Sequence, residues 1–182
     1  MPPGPMNQRS LEVWNEDDRS IRMGKHPSRR GMFRLESEVW LPAGPEAVFD
    51  FFANPENLEA ITPPWLNFRI MTPTPIEMRA GVLIDYRIRL HGVPIKWRTE
   101  ISVWEPPLRF VDEQLRGPYR FWHHEHTFVE QDGGTLVGDC VDYAVLGGAI
   151  VHRLFVRNDL EKIFTYRLQK LTEFFTSSPV EA

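Results

Sequence analysis

Cysteine, long apolar runs and an excess of one charge are all scarce in this sequence. The single cysteine, Cys140, excludes an intramolecular disulfide and argues against a cysteine-based zinc site. No segment approaches the roughly 20 consecutive apolar residues that cross a bilayer, and the first 30 residues contain no apolar stretch of the kind that a signal peptide needs. We therefore expect a cytoplasmic protein without stable membrane insertion.

The charges are nearly balanced, with 21 Lys and Arg against 25 Asp and Glu and a net charge of −4. A protein that binds nucleic acid independently of sequence usually carries a basic excess, so this balance argues against a nucleic-acid partner. Aromatic residues, by contrast, make up 12% of the chain. Side chains of that size fill a core or line an apolar cavity.

The first 30 residues are rich in Pro, Arg, Asp, Glu, Asn and Ser, and their few apolar residues follow no period. Such a segment buries too little apolar surface to offset the entropy of ordering, so we predict a disordered tail over residues 1–30. The pattern sharpens at Met32, and we place one folded domain at residues 31–178.

Beyond the tail, alternation, helical periodicity and turn residues predict the order of the elements. Phe33–Leu41 alternates as a strand, and residues 42–63 then form two short helices separated by the helix-breaking pair Asn54 and Pro55. Six further strands are predicted at Asn67–Met71, Val82–Leu90, Ile95–Glu105, Arg109–Leu115, Tyr119–Glu130 and Thr135–Val145. Apolar residues at spacings of three and four predict one long helix over Gly148–Thr176.

Short connections favour antiparallel neighbours, and the only large amphipathic element available to cover the sheet is the last helix. We therefore predict an α+β helix-grip fold. It consists of a curved antiparallel sheet of about six to seven strands around a long C-terminal helix, with two short helices after the first strand. This arrangement leaves a cavity between the sheet and the helix.

The order of these elements, together with the stretches LPAGPEAVFDFFANPENLEAITP and FVDEQLRGPYRFWHHEHTFVEQDGGTLVGDCVDY, resembles the SRPBCC superfamily of START-like and polyketide cyclase/dehydrase-like proteins. The resemblance covers residues 33–175 and extends to an uncharacterised bacterial subgroup, some of whose members resemble a domain fused to an NAD-dependent epimerase-like domain. Because no G-x-G-x-x-G fingerprint occurs here, the resemblance implies a stand-alone member. It implies the helix-grip fold. It also implies a role among those of the superfamily, which includes lipid carriers, hormone receptors, aromatase/cyclases, oxygenase domains and co-chaperone domains. Fold alone does not choose among them.

The segment FWHHEHTF is the most informative polar feature of the sequence. Alternation along a strand places Trp122, His124, His126 and Phe128 on one face. If residue 130 pairs with residue 135, the next strand adds four partners to this face: Val137, Asp139, Val141 and Tyr143. Because the face is mostly apolar, we expect it to be the concave one, with two histidines and one aspartate in or near the cavity.

Three interpretations of His124, His126 and Asp139 stay open. The first is a structural hydrogen-bonded cluster, because buried polar groups need partners. The second is a set of polar groups that orient a ligand in an apolar pocket. The third is a metal site, since two histidines and a carboxylate can form a facial triad. No further ligand is evident in the sequence, and we predict neither a metal nor another cofactor.

The residues predicted to contact a ligand belong to this face, to one central strand and to the last helix. They are Trp97, Trp122, His124, His126, Phe128, Asp139, Val141, Tyr143, Phe164 and Leu168. Asp112 is interpreted as a solvated strand residue. Arg167 is interpreted as a side chain that reaches from the helix to the edge, with pairing to a cavity carboxylate as the alternative. Cys140 has no neighbour in the sequence that lowers its pKa, so no nucleophile is predicted.

The sequence favours a protein that binds a small hydrophobic molecule, such as a lipid, an isoprenoid or a polyketide-like compound, in the cavity. The first alternative is a cyclase/dehydrase-type enzyme whose histidines move protons on a polyketide-like carbonyl substrate. The second is a protein-interaction module of the co-chaperone type, whose protein partner the sequence does not identify. A cavity favours binding or catalysis, whereas a filled core beneath an exposed apolar patch favours interaction.

Overall fold

The computed structural model describes residues 21–177, in which one antiparallel sheet packs around a long C-terminal helical segment. The eight strands are β1 (Arg22–Lys25), β2 (Phe33–Leu41), β3 (Arg69–Ile70), β4 (Leu83–Leu90), β5 (Val93–Glu105), β6 (Arg109–Arg116), β7 (Tyr119–Gln131) and β8 (Gly134–Val145). Their order in the sheet is β1-β2-β8-β7-β6-β5-β4-β3. The predicted α+β helix-grip architecture is confirmed.

Two short helices follow β2, as the sequence predicts. They are α1 (Pro45–Ala53) and α2 (Pro55–Ala60), and a single 3-10 turn (Pro64–Leu66) leads from them towards β3. Each helix begins with a proline, whose fixed φ suits a first helical turn and whose missing N–H is not needed there. The side chain of Asn54, between the helices, accepts a hydrogen bond from the Glu56 backbone N–H at 3.0 Å and so starts α2.

The C-terminal helical segment runs over 30 residues. It comprises α3 (Gly148–Val151), a π-helical stretch (His152–Val156) and α4 (Arg157–Ser177). The residues of α4 that are buried against the sheet recur every three or four positions: Leu160, Phe164, Leu168, Leu171 and Phe175. This is the stripe that the sequence predicts, and it covers the concave face of the sheet.

The hairpin between β7 and β8 sets the register of the site. Asp132 and Gly133 both have positive φ, 51° and 73°, as a two-residue primed turn requires. Gln131 therefore pairs with Gly134, and the ladder continues through Trp122 and Tyr143 with the predicted register throughout. His124 and His126 consequently face the same side as Asp139, which confirms the arrangement on which the site prediction depends.

The predicted tail is wrong over its last part, because β1 lies inside it. Residues 1–20 lie outside the described residues, whereas Arg22–Lys25 pairs with β2. His26 is buried, and its Nδ1 accepts hydrogen bonds from the backbone N–H groups of Ser28 and Arg29. Its Nε2 lies 3.2 Å from Asp142 on β8, a carboxylate that Arg34 also binds. The pairing of β1 with β2 and the contact between His26 and Asp142 therefore order residues 22–26, although this segment has little apolar surface.

Candidate functional site

A cavity of about 200 Å³ lies between the concave face of the sheet and α4. Its wall combines residues of β4 to β7 with residues of α1, α2 and α4. The apolar and aromatic lining includes Phe51, Leu58, Phe68, Ile84, Tyr86, Ile88, Trp97, Ile101, Phe110, Tyr119, Trp122, Ile163 and Phe164. Because an apolar wall of this kind excludes water from a ligand surface, the cavity suits a small hydrophobic molecule.

Five of the residues predicted to contact a ligand belong to this wall. They are Trp97, Trp122, His124, His126 and Phe164. The rings of Trp97 and Trp122 meet edge to face with centroids 5.5 Å apart, and Tyr119 packs against both. These three rings form one aromatic side of the cavity.

Four other predicted residues lie outside the wall of this cavity, and their contact with a ligand stays a prediction. Phe128 packs beneath α1, with its ring 5.2 Å from Phe49. Leu168 and Val141 are buried in the core, and the Tyr143 hydroxyl lies 2.8 Å from Nε2 of His152. The concave face is longer than the cavity, and helices pack directly on the sheet at these positions.

Asp139 also lies outside the cavity wall, but it contacts both histidines. Its Oδ1 atom is 2.9 Å from Nε2 of His124 and 2.8 Å from Nδ1 of His126. The contact with His124 is a hydrogen bond, whereas the atoms of the contact with His126 are not aligned as donor and acceptor. The hydroxyl of Ser37 donates to the other oxygen of Asp139 at 3.1 Å. Asp139 is therefore held behind the histidine pair.

Asp112 completes the cluster from the cavity side. The register of β6 and β7 pairs it with His124, and its Oδ2 atom lies 3.3 Å from Nδ1 of His124 and 3.1 Å from Nε2 of His126. Its side chain is 17% exposed and lines the cavity, so the interpretation as a solvated strand residue is wrong. The two histidines thus lie between two carboxylates, one in the cavity wall and one behind it.

The four groups shift one another's pKa values. Burial by itself raises the pKa of Asp112 and of Asp139, but the histidines outweigh burial at Asp112, and Arg167 together with the histidines does so at Asp139. The pKa of Asp112 is therefore lowered, and that of Asp139 lies well below its usual range. Both carboxylates are ionised at neutral pH.

The two histidines respond in opposite directions to the same surroundings. Burial lowers the pKa of His126, but its hydrogen bond to Asp112 and the Asp139 carboxylate outweigh burial, so the net shift is upward. Burial and the neighbouring His126 lower the pKa of His124, and the carboxylates do not reverse this. A proton bound by the pair is therefore favoured on His126.

Arg167 points into the cavity and not to the edge of the helix, contrary to the interpretation from the sequence. It belongs to the cavity wall, and its guanidinium carbon lies 5.4 Å from the centre of the Phe52 ring. Its Nε atom is buried and has no hydrogen-bond partner among residues 21–177. Arg167 therefore adds positive charge near Asp112 and Asp139 without an ion pair to either within the described chain.

Several wall residues were not singled out from the sequence, although a signal for some was present. Ile84, Tyr86, Ile88 and Leu90 alternate along β4 and all line the cavity. Phe110 lies two residues before Asp112 and shares its face, which marks that face as the buried one. The sequence does single out Arg167 as a cation within the apolar stripe, but this pattern alone does not distinguish a cavity position from the edge of the helix.

Cys140 lies on the opposite face from Asp139 and is only partly buried. Burial raises the pKa of its thiol to about 11. The thiol is therefore protonated at neutral pH, in agreement with the prediction that it is not a nucleophile.

The curved antiparallel sheet, the long C-terminal helix and the cavity between them define a helix-grip protein. The family described as polyketide cyclase / dehydrase and lipid transport matches residues 41–172. The chain belongs to this family, and through it to the SRPBCC superfamily that the sequence resembles.

Solved structures with the same fold span nearly the whole of the described chain. Protein Ms6760 from Mycobacterium smegmatis has a TM-score of 0.63 and 16% identity, over 87% of this chain and 99% of that one. The ZhuI aromatase/cyclase from Streptomyces sp. R1128 has a TM-score of 0.63 and 16% identity, over 80% and 94%. Ara h 8.0201 has a TM-score of 0.56 and 13% identity, over 81% and 99%. At these identities the likeness extends to the fold alone.

Comparison with curated proteins gives no match to this sequence. Within residues 21–177, none of the helices has the length and apolar character that crossing a bilayer demands.

Proposed function

We propose that the chain binds a small hydrophobic molecule that carries a carbonyl or similar acceptor oxygen, within the cavity between the sheet and α4. The observation that carries this proposal is an apolar wall that contains two buried donors with no hydrogen-bond partner among residues 21–177. The family description, which includes lipid transport and polyketide cyclisation, supports a ligand of this class.

The apolar wall supplies the affinity. Removing apolar surface from water contributes roughly 25 cal/mol per Å². A flat aromatic ligand can contact the wall on several sides. These contacts come from the edge-to-face rings of Trp97 and Trp122 and from the side chains of Ile84 and Ile101. A ligand with a single ring or with two fused rings is small enough to fit the cavity volume of about 200 Å³.

The donors supply the preference for an oxygen. Nε1 of Trp97 and Nε of Arg167 are buried in the cavity wall, and neither has a hydrogen-bond partner within residues 21–177. A buried donor without a partner costs about 1–3 kcal/mol. A ligand oxygen that accepts from either group recovers that free energy, whereas a hydrocarbon of the same shape does not.

The test compares two probes of similar shape, 2-acetylnaphthalene and 2-ethylnaphthalene, by isothermal titration calorimetry on the full chain. We expect both to bind and the ketone to bind about tenfold more tightly, since tenfold corresponds to about 1.4 kcal/mol. Trp97→Phe keeps an aromatic ring and removes one donor, so it should reduce the preference for the ketone. Arg167→Met should act in the same direction.

The matched control is Trp40→Phe. Trp40 is an exposed tryptophan whose Nε1 donates to the Gln131 carbonyl, and it is not among the residues that line the cavity. This variant should bind both probes as the wild type does. Failure of both probes to bind the wild type would contradict the proposal, and so would equal affinities for ketone and hydrocarbon.

A cyclase/dehydrase-type reaction is the second candidate, and the histidine pair favours it. His124 and His126 border the cavity, and each has a carboxylate beside both ring nitrogens. Carboxylates in this position orient an imidazole for proton transfer to or from an enolisable carbonyl compound. The ZhuI protein named aromatase/cyclase shares the fold.

Hydrogen–deuterium exchange tests this second candidate. The α-protons of 1-(2-naphthyl)butane-1,3-dione exchange with deuterium when the compound is enolised, and NMR follows the rate. An enzyme accelerates the exchange, and His124→Gln abolishes the acceleration while His123→Gln, on the opposite face, leaves it unchanged. Tight binding without acceleration contradicts catalysis and leaves the binding function in place.

A further inference from the structure

We propose that Asp112, His124 and His126 form a binding site for one divalent transition-metal ion at the polar end of the cavity. Three ligand atoms converge there: Oδ2 of Asp112, Nδ1 of His124 and Nε2 of His126. They lie within 4.8 Å of one another. The proposal does not depend on the hydrophobic ligand.

The spacing fits a metal ion. Ligand atoms bound about 2.1 Å from one ion at tetrahedral or right angles lie about 3.0–3.4 Å apart. The Asp112 oxygen lies 3.3 Å from the His124 nitrogen and 3.1 Å from the His126 nitrogen. Two imidazoles and one carboxylate form the facial set typical of iron(II), zinc and cobalt(II), and they disfavour calcium and magnesium, which prefer oxygen ligands.

Asp139 orients His124 for this role and lies directly beside His126. A histidine that binds a metal through one nitrogen usually donates the N–H of its other nitrogen to a carboxylate. The remaining nitrogens, Nε2 of His124 and Nδ1 of His126, both lie within 2.9 Å of Oδ1 of Asp139. With Nε2 of His124 bonded to Asp139, Nδ1 of His124 can offer its lone pair to an ion at the cavity side. Nε2 of His126 is hydrogen-bonded to Asp112 in the metal-free chain, so an ion that binds there takes the place of that proton.

The cavity side is also the accessible side. Asp112, His124 and His126 all line the cavity, whereas Asp139 does not and has a side chain only 2% exposed. An ion held by the three cavity-facing groups keeps open coordination positions towards the cavity. The set differs from the triad considered from the sequence, because Asp112 takes the ligand position and Asp139 takes the supporting one.

The surface of the same two strands provides a matched control. His123 and Glu113 lie on the opposite face, and Nδ1 of His123 is 2.8 Å from a Glu113 oxygen. This pair contains a histidine and a carboxylate, as the proposed site does, but it lacks the second histidine. Glu113→Gln and His123→Gln should therefore leave metal binding unchanged.

The experiment titrates the chelator-treated full chain with cobalt(II), followed by visible absorption and calorimetry. We expect one equivalent to bind with the absorption of a site that has nitrogen ligands. Asp112→Asn, His124→Gln and His126→Gln should each remove this binding. Asp139→Asn should keep the stoichiometry and weaken the affinity about 10–100-fold. Circular dichroism identifies any variant that does not fold.

A second measurement on the wild type covers the case in which variants fail to fold. Proton NMR of the cobalt(II) form should show an exchangeable, paramagnetically shifted imidazole N–H signal from His124, whose Nε2 is bonded to Asp139. Absence of stoichiometric binding means that the site holds a proton only, and it overturns the proposal. Equal loss of binding in Glu113→Gln, or full binding in a folded Asp112→Asn variant, also overturns it. None of these results bears on probe binding by the apolar wall.

Discussion

Oδ2 of Asp112 lies 3.1 Å from Nε2 of His126, across the pairing of β6 with β7. Asp139, on β8, contacts the same histidine from the other side at 2.8 Å. His126 on β7 therefore links its two neighbouring strands, β6 through Asp112 and β8 through Asp139. Because both ionised carboxylates are largely buried beside the imidazoles, removal of His126 leaves buried negative charge with one partner fewer.

His126→Ala should for this reason destabilise the metal-free chain by about 3–5 kcal/mol, the usual cost of breaking a buried charged pair. His123→Ala is the control, because its side chain and that of Glu113 are 35% and 41% exposed. An exposed pair of this kind contributes at most about 1 kcal/mol. Urea unfolding measures both free energies, and equal small losses would show that the cluster adds nothing to stability.

Asp142 should make stability depend on pH at the acidic end. Burial raises the pKa of this carboxyl, but hydrogen bonds from Arg34 at 2.6 and 2.8 Å outweigh burial, so its pKa is lowered from 3.8. A lowered pKa in the folded state means that the stabilisation is fully present above 3.8 and is lost as pH falls through the lower, folded-state pKa.

Asp142→Asn should therefore cost about 1.5–3 kcal/mol at neutral pH, the range for a hydrogen bond to a charged group. The difference between the wild type and the variant should shrink as the pH is lowered below the ordinary value of the carboxyl. Unfolding free energies measured from neutral to acidic pH check this. A difference that stays constant over that range contradicts the assigned role of the Arg34 pair.

Residues 21–31 should stabilise the domain. A chain that starts at Met32 lacks β1 and the buried His26, whereas a chain that starts at Ile21 keeps both. We expect the shorter chain to melt more than about 4 °C below the longer one, since about 1 kcal/mol shifts the midpoint of a domain this size by about 2–4 °C. Both chains lack residues 1–20, so the comparison isolates β1 and its turn. Identical midpoints would restore the interpretation of this segment as a tail.

Phe164 and Leu168 should behave differently although both are buried on α4. Phe164→Ala should cost about 3–5 kcal/mol and Leu168→Ala about 2–5 kcal/mol. Only Phe164 lines the cavity, so only its removal enlarges the ligand space. Titration with 2-acetylanthracene should therefore show a gain of binding in Phe164→Ala and none in Leu168→Ala. The same gain in both variants would mean that the cavity extends beyond the wall described above.

The register of β7 and β8 could be predicted because a two-residue turn fixes it. The Asp132-Gly133 pair occupies the two positive-φ positions, and the pairings as far as Phe121 with Ala144, including His126 with Asp139, follow by counting.

The register between β6 and β7 does not follow from counting residues across their turn. A two-residue turn at Gly117-Pro118 would set Asp112 opposite His123, on the solvent face. The observed pairing sets Asp112 opposite His124. The side-chain amide of Gln114 donates a hydrogen bond to the Tyr119 carbonyl at 2.7 Å and accepts one from the Tyr119 backbone N–H at 3.2 Å. In the pairing of β5 with β6, β6 has one extra residue directly after Gln114. Such an extra residue shifts the register by one and turns a side chain to the other face. For this reason His124 and His126 could be predicted as cavity residues from the sequence, whereas their partner Asp112 could not.

Isoleucine methyl groups provide the most direct test of ligand binding inside the cavity. Ile84, Ile88 and Ile101 line the cavity, whereas Ile150 is 73% exposed at the start of the C-terminal helical segment. With carbon-13 in the isoleucine methyl groups, NMR detects nuclear Overhauser contacts between them and the ring protons of bound 2-acetylnaphthalene. We expect contacts to Ile84, Ile88 and Ile101 and none to Ile150. Contacts confined to Ile150, or no contacts at saturating probe, would contradict binding in the cavity.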